Sequence, residues 1–308
     1  IYPTTKRITI YPNLLSRYEI LTQLETYTGT FPQLALESAI EQKTEITPKL
    51  LEILEECKNN LEDLLEDSTY FLHLYALYLL AQFREQAAYP LILDFFSIPG
   101  DITLDVTGDL VTDDLNRIIA SVFDGNLQPL KQLIENQQAN EYVRSAALKS
   151  LVTLVAEKII PREQLIQYFE ELFSRQPETQ PDFIKTKLVI NSCKLGAVEL
   201  KPQIDEAFEL NLIDDLFIDQ ESVDDTFEKG TEAALIKLRQ NRQFTLITDI
   251  ITEMKSWSCF RNDKVKQSNS IFPSPSGFTN SFKSGKAESN KKKKIQKESR
   301  RKNRNKKK

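Results

Sequence analysis

The chain has 308 residues, a formal net charge of −5, 8 glycines, 13 prolines and 3 cysteines. That length allows one or two domains with a sizeable core, and so little glycine argues against glycine-rich nucleotide loops and turn-dense β folds. The cysteines, Cys57, Cys193 and Cys259, are odd in number and far apart, which argues against a disulfide framework and for a reducing compartment, read here as the cytoplasm.

Residues 1–12 are β-branched and bounded by prolines, and are expected to run extended. A helix is predicted within 13–27, with Leu14, Tyr18, Leu21 and Leu24 inward and Gly29 beyond its end. Pro32 opens the next, with Leu34, Ala35, Ala39 and Ile40 inward, and Thr47-Pro48 reads as cap and first turn of a third. Residues 67–97 form a strong pair whose first helix is apolar nearly all round, which predicts an interior helix. Its apolar run, 70–83, is too short to cross a bilayer and contains His73 and Gln82, so no membrane contact is expected. After Pro99-Gly100 the stretch to Gly108 reads as the least helical part, and a third pair spans 113–136.

The clearest pair is 141–174. Val143, Ala147, Leu151 and Leu154 lie on one face of a 3.6-residue helix, and after Pro161 the same spacing returns at Leu165, Phe169 and Leu172. A fifth pair covers 181–195 and 201–210. Leading helices begin near 70, 113, 142 and 183, intervals that bracket the length of HEAT-type units without keeping one period. Helical pairs of this kind cannot close a core singly and are expected to stack. An acidic run, 214–228, follows, and helices near 231–239 and 246–257 are expected to cap the stack. The predicted fold is all-α: an irregular HEAT-like α-solenoid over 13–260 with a disordered basic tail over 261–308.

The runs EDSTYFLHLYALYLLAQFREQAAYPLILDFFSIPG, TGDLVTDDLNRIIASV, EYVRSAALKSLVTLVAEKIIPREQLIQYFEELF and EMKSWSCF resemble a bacterial family, the domain of unknown function numbered 1186, over about residues 13–260. The resemblance implies a HEAT-like helical repeat, a bacterial cytoplasmic protein and no catalytic residues to carry over. It also implies that Arg144 fixes one repeat against the next. Relatives in the family often end in a cysteine-rich zinc-binding segment. Here Arg261–Lys264 and Ser284–Lys286 look like its remnants, but the cysteines are missing and four ligands cannot be assembled.

Individual residues point to no chemistry. His73 is the lone histidine, on an apolar helix, and reads as packed. Cys57 is flanked by Glu55 and Glu56, which raise a thiol's pKa. The one Gly-Lys pair, Gly285-Lys286, lacks the first glycine of a phosphate loop, since position 280 is Asn280. No catalytic, cofactor or metal residue is therefore assigned, and the protein is expected not to be an enzyme.

Charge is the remaining signal. Residues 261–308 hold 17 Lys and Arg against 3 Asp and Glu, and residues 1–260 hold 23 against 42. The acidic body favours basic protein partners, which leads to the expected function, a non-enzymatic interaction scaffold. The alternative is weak, sequence-indifferent contact with RNA or ribosomes through Lys291, Lys292, Lys293, Lys294, Lys297, Arg300, Arg301, Lys302, Arg304, Lys306, Lys307 and Lys308. Those same residues would equally suit an acidic partner, including the body itself. Val143, Arg144, Ala147 and Leu151 are assigned a structural role in the repeat.

Overall fold

A computed structural model describes residues 14–260 of the protein. Among the described residues there is no strand, only isolated bridges such as Thr26 with Tyr70. The helices in chain order are α1 (Arg17–Glu25), α2 (Gln33–Glu41), α3 (Lys43–Asn59), α4 (Leu61–Glu66), α5 (Leu72–Phe83) and α6 (Ala88–Phe96). Next come α7 (Ile102–Thr107), α8 (Leu110–Asp113), α9 (Leu115–Val122), α10 (Leu127–Glu135), α11 (Glu141–Ala156) and α12 (Arg162–Phe173). The last are α13 (Phe183–Leu195), α14 (Lys201–Glu209), α15 (Gln220–Glu228), α16 (Thr231–Gln240) and α17 (Ile250–Lys255).

Two rows of helices share one apolar core. In the first row α5, α9, α11 and α13 each pack on the next; in the second, α3, α6 and α10 do so, and α12 packs on α14. Between the rows α3 lies on α5, α6 on α9, α10 on α11 and α12 on α13. The apolar stripe of each helix dictates this arrangement, because it has to be covered on the side facing the other row. Val143, Ala147 and Leu151 of α11 are at most 1% exposed. Every side chain of α5 except Gln82 is buried.

α9 is buried along its whole length, Asn116, Arg117 and Ser121 included. A helix with row-mates on both sides and a second row behind it still has one open side. That side is closed here by the C-terminal part of the chain. α16 packs on α13 and α11, the 3₁₀ turn Arg242–Phe244 lies on α11 and α9, and α17 reaches α5 and α2. We call residues 241–260 the strap.

Several local expectations differ from the structure, and Leu14 and Leu34, expected inward, are 40% and 46% exposed. Thr47-Pro48 lies inside α3 and does not start it. The helix begins a turn earlier because tertiary bonds hold that turn: Gln42 Nε2 donates to the Leu15 carbonyl at 2.7 Å and Lys43 Nζ to the Phe83 carbonyl at 2.7 Å. Tyr18 is 78% exposed. The capping box between Ser16 and Glu19 starts α1 at Arg17, and Ile20 and Leu24 form its buried side, from which Tyr18 lies about half a turn away. The stretch before Gly108 winds into α7, and its Thr107 hydroxyl donates back to the Thr103 carbonyl at 2.6 Å. The helix predicted at 246–257 is confined to α17, because the backbone before it belongs to no helix or strand and its polar groups are bonded to the first row.

Candidate functional site

Arg117 is the centre of the strap-covered face. It is 1% exposed. Its Nη1 and Nη2 donate to the two Glu253 carboxylate oxygens at 2.7 and 2.8 Å, and Nη1 also to Asp114 Oδ1 at 2.8 Å. Nε donates to the Thr245 carbonyl at 2.9 Å. Burial works against its charge, but Glu253 and Asp114 more than offset that, so the guanidinium is held more firmly protonated than usual. The Tyr78 hydroxyl donates to the other Asp114 oxygen at 2.7 Å, and the Tyr78 ring meets Trp257 of the strap edge-on.

Around this pair the first row bonds the strap's backbone. Asn116 Nδ2 donates to the Gln243 carbonyl at 2.8 Å, and Arg84 Nη1 to the Ile247 carbonyl at 2.6 Å. The Ile247 N–H donates to Ser121 Oγ at 2.9 Å and the Ile250 N–H to Gln82 Oε1 at 2.8 Å. Phe244, Ile247 and Ile250 are at most 1% exposed beneath this lattice. At the far end the Tyr27 hydroxyl donates to the Cys259 carbonyl at 2.8 Å, and Phe260 packs on Tyr27 and Phe31. An extended segment is thus read by side chains on successive helices, with apolar residues inserted at intervals. The role of the polar residues of α9, in the run LNRIIASV, is missed from the sequence alone, because their partners lie more than 120 positions downstream.

The residues singled out from the sequence fall elsewhere. Arg144 is 4% exposed, donates through Nε to the Ile134 carbonyl at 2.8 Å, and grips Glu178 with both terminal nitrogens at 2.6 and 2.5 Å. It thereby joins the end of α10 to the loop before α13. His73 donates through Nε2 to the Val106 carbonyl, 2.9 Å away, and stacks on Tyr70. A carbonyl accepts only, so Nε2 carries the hydrogen and the buried Nδ1 is a bare acceptor with no partner. Burial lowers its pKa to about 4. The thiols of Cys57, Cys193 and Cys259 are each pushed up to about 11, first of all by burial. Among the described residues no group of three or more His, Cys, Asp or Glu is placed to hold a metal. No helix among them is long and apolar enough to cross a membrane. The basic residues from Lys291 to Lys308 lie outside the described residues.

The acidic run is partly structural. Asp219 caps α15 by accepting the Ser222 N–H at 2.7 Å, and Lys201 bridges Asp205 and Asp224. Beside it is an open groove of about 360 Å³ lined by Phe208, Glu209, Asn211, Ile213, Asp215, Asp219 and Gln220. Leu210 and Leu216, in the segment that lines the groove, are 52% and 70% exposed.

A family model described as "Protein of unknown function (DUF1186)" matches residues 15–261. An uncharacterized protein of Chlamydia muridarum (strain MoPn / Nigg) is 41% identical over 239 residues, 77% of this chain and 95% of the relative. An uncharacterized protein of Chlamydia trachomatis serovar D is also 41% identical over 239 residues, covering 77% of this chain and 94% of its own length. No solved structure matches the chain significantly.

Proposed function

We propose that this chain, which belongs to the DUF1186 family of proteins of unknown function, is a non-enzymatic scaffold that docks a basic protein segment on its acidic surface. The observation that carries this reading is the groove between α14 and α15. It offers Glu209, Asp215 and Asp219 beside Phe208 and Ile213, with Leu210 and Leu216 exposed nearby. Carboxylates around an apolar floor suit a segment that alternates Lys or Arg with an apolar anchor, and the openness of the groove suits a side-on chain better than an enclosed substrate.

The test is affinity purification with the full chain against its Asp215→Lys/Asp219→Lys variant, at low and moderate salt. Basic proteins that come down with the unaltered chain and are lost with the variant support docking here. Recovery of the same proteins with the variant removes the reading. The second reading, phosphate contact through Lys291–Lys308, rests on the 12 Lys and Arg in that stretch. Nuclease treatment separates the two: proteins held by the groove survive it, and material held through RNA does not.

A further inference from the structure

The first row turns a ladder of cations toward the strap, and the strap answers only half of it. Arg84, at the end of α5, receives the Ile247 carbonyl, and Arg117 of α9 receives Glu253 and the Thr245 carbonyl. The next two rungs, Lys149 of α11 and Lys194 of α13, receive a ring. Their ammonium nitrogens lie 5.3 and 5.6 Å from the centroid of Phe244, which is itself 1% exposed. Among the described residues no carboxylate lies within ion-pair distance of either lysine, although the protein is acidic. The nearest acids that Lys149 senses are Asp114 and Asp113. Asp114 already has one oxygen on Arg117 and the other on the Tyr78 hydroxyl.

Two ammonium groups from neighbouring helices drawn to one buried ring, with like charge nearby and no carboxylate at ion-pair distance, make a place suited to an anion. A cation–π contact returns part of what burial removes, about 0.5–2 kcal/mol, but it does not neutralise charge. We propose that Lys149 and Lys194, in the added field of Lys187, bind a small oxyanion of the phosphate class, with Phe244 of the strap as one wall of the site. The chemistry favours a dianion of tetrahedral shape: two point charges from neighbouring helices match its two negative charges, and the nearby guanidinium, Arg117, is already committed to Glu253 and Asp114.

The titration of the lysines agrees with this geometry. Lys194 is lowered to about 7, by burial first and then by Lys149 and Lys187, with the Cys193 thiol opposing. Lys149 is lowered to about 8, by burial first and by Arg117, against the pull of Asp114 and Asp113. An anion between them reverses both shifts, so binding takes up protons near neutrality and weakens as the pH rises.

Sulfate is the cleanest probe, because it stays a dianion across the range. Calorimetric titration of the full chain with sulfate is expected to show saturable binding about tenfold or more tighter near pH 6.5 than near pH 8.5, with proton uptake that differs between buffers of unlike ionisation enthalpy. Lys194→Met and Lys149→Met each abolish it, whereas Lys194→Arg binds and loses most of the pH dependence. Lys158→Met, in the pocket between α11 and α16, leaves it unchanged. Inorganic phosphate and a phosphopeptide, run in parallel, tell a free ion from a phosphoryl group carried by a larger molecule; binding of either supports the site. Circular dichroism of each variant checks folding. Absence of saturable binding by sulfate and both phosphates in the unaltered chain, or binding that survives in well-folded Lys194→Met, overturns the proposal.

Discussion

Arg117 shows how a charge becomes part of a core. Each of its donors has an acceptor, so the cost of taking it out of water is met by bonds to Glu253, Asp114 and the strap's backbone. Removing the partner of a buried charge is far more damaging than removing the pair. Arg117→Ala is expected to cost about 3–5 kcal/mol, read as a lowered urea midpoint, and a loss below about 1 kcal/mol would show that the clamp contributes little. His73 gives a pH signature of the opposite kind. Its folded pKa, about 4, lies below the ordinary 6.5, so the unfolded chain takes up the proton first as the pH falls. The stability this neutral histidine allows is therefore present above pH 6.5 and lost between 6.5 and about 4, by about 3 kcal/mol. His73→Gln retains a donor for the Val106 carbonyl and is expected to flatten that part of the profile; an unchanged slope in urea titrations at several pH values would assign the acid sensitivity elsewhere. That His73 is packed was legible from its apolar helix, but the role of Arg117 was not. Arg117 sits where a helix surface residue would, and what makes it a core residue is Glu253, 136 positions away.

At the scale of elements, the helix pairs were legible because the apolar period of a buried helix is a local property. Val143, Ala147 and Leu151 were placed on a buried face from spacing alone, and they are buried. Pro48 was misplaced for the same reason: the bonds that wind the extra turn of α3 come from Leu15 and Phe83. The strap carries no period, since residues 246–249 belong to no helix or strand and their polar groups answer side chains at the end of α11 and on α9. Its entry depends on Gly196. That residue ends α13 at φ 57, and a Cβ added there would come within 2.6 Å of the Thr231 backbone at the start of α16. The Gly196 carbonyl also accepts from the Thr231 hydroxyl at 2.7 Å and Arg162 at 2.9 Å. Gly196→Ala is expected to cost about 1–3 kcal/mol and to speed hydrogen exchange at the Ile247 and Ile250 amides; exchange unchanged at those amides would separate α16 docking from strap docking.

For the whole molecule, the strap joins regions that are distant in the chain. It touches α11 and α9 at one end and α2 and Tyr27, just past α1, at the other. The chain has a single tryptophan, and Trp257 lies in the strap, which makes fluorescence a reporter of docking while circular dichroism reports the helices. Urea transitions followed by the two signals are expected to coincide. A fluorescence change that precedes the loss of helix would mean that the strap opens as a separate unit. The acidic groove lies on α14 and α15, and its charge-reversed variant is expected to lose only about the 0.5–2 kcal/mol of the Asp219 cap on α15. A much larger drop in the urea midpoint would mean that Asp215 and Asp219 serve stability and not docking.

The bond from Tyr27 to Cys259 also sets a schedule for synthesis. Tyr27 leaves the ribosome well before its partner Cys259, made 232 positions later, which at about 5–20 residues per second is roughly 10–50 s. Once made, Arg84, Asn116, Arg117 and the apolar seats of Phe244 and Ile247 stay uncovered until the strap follows. A helper that shields emerging chains has a defined task here, and that task ends when residue 260 arrives.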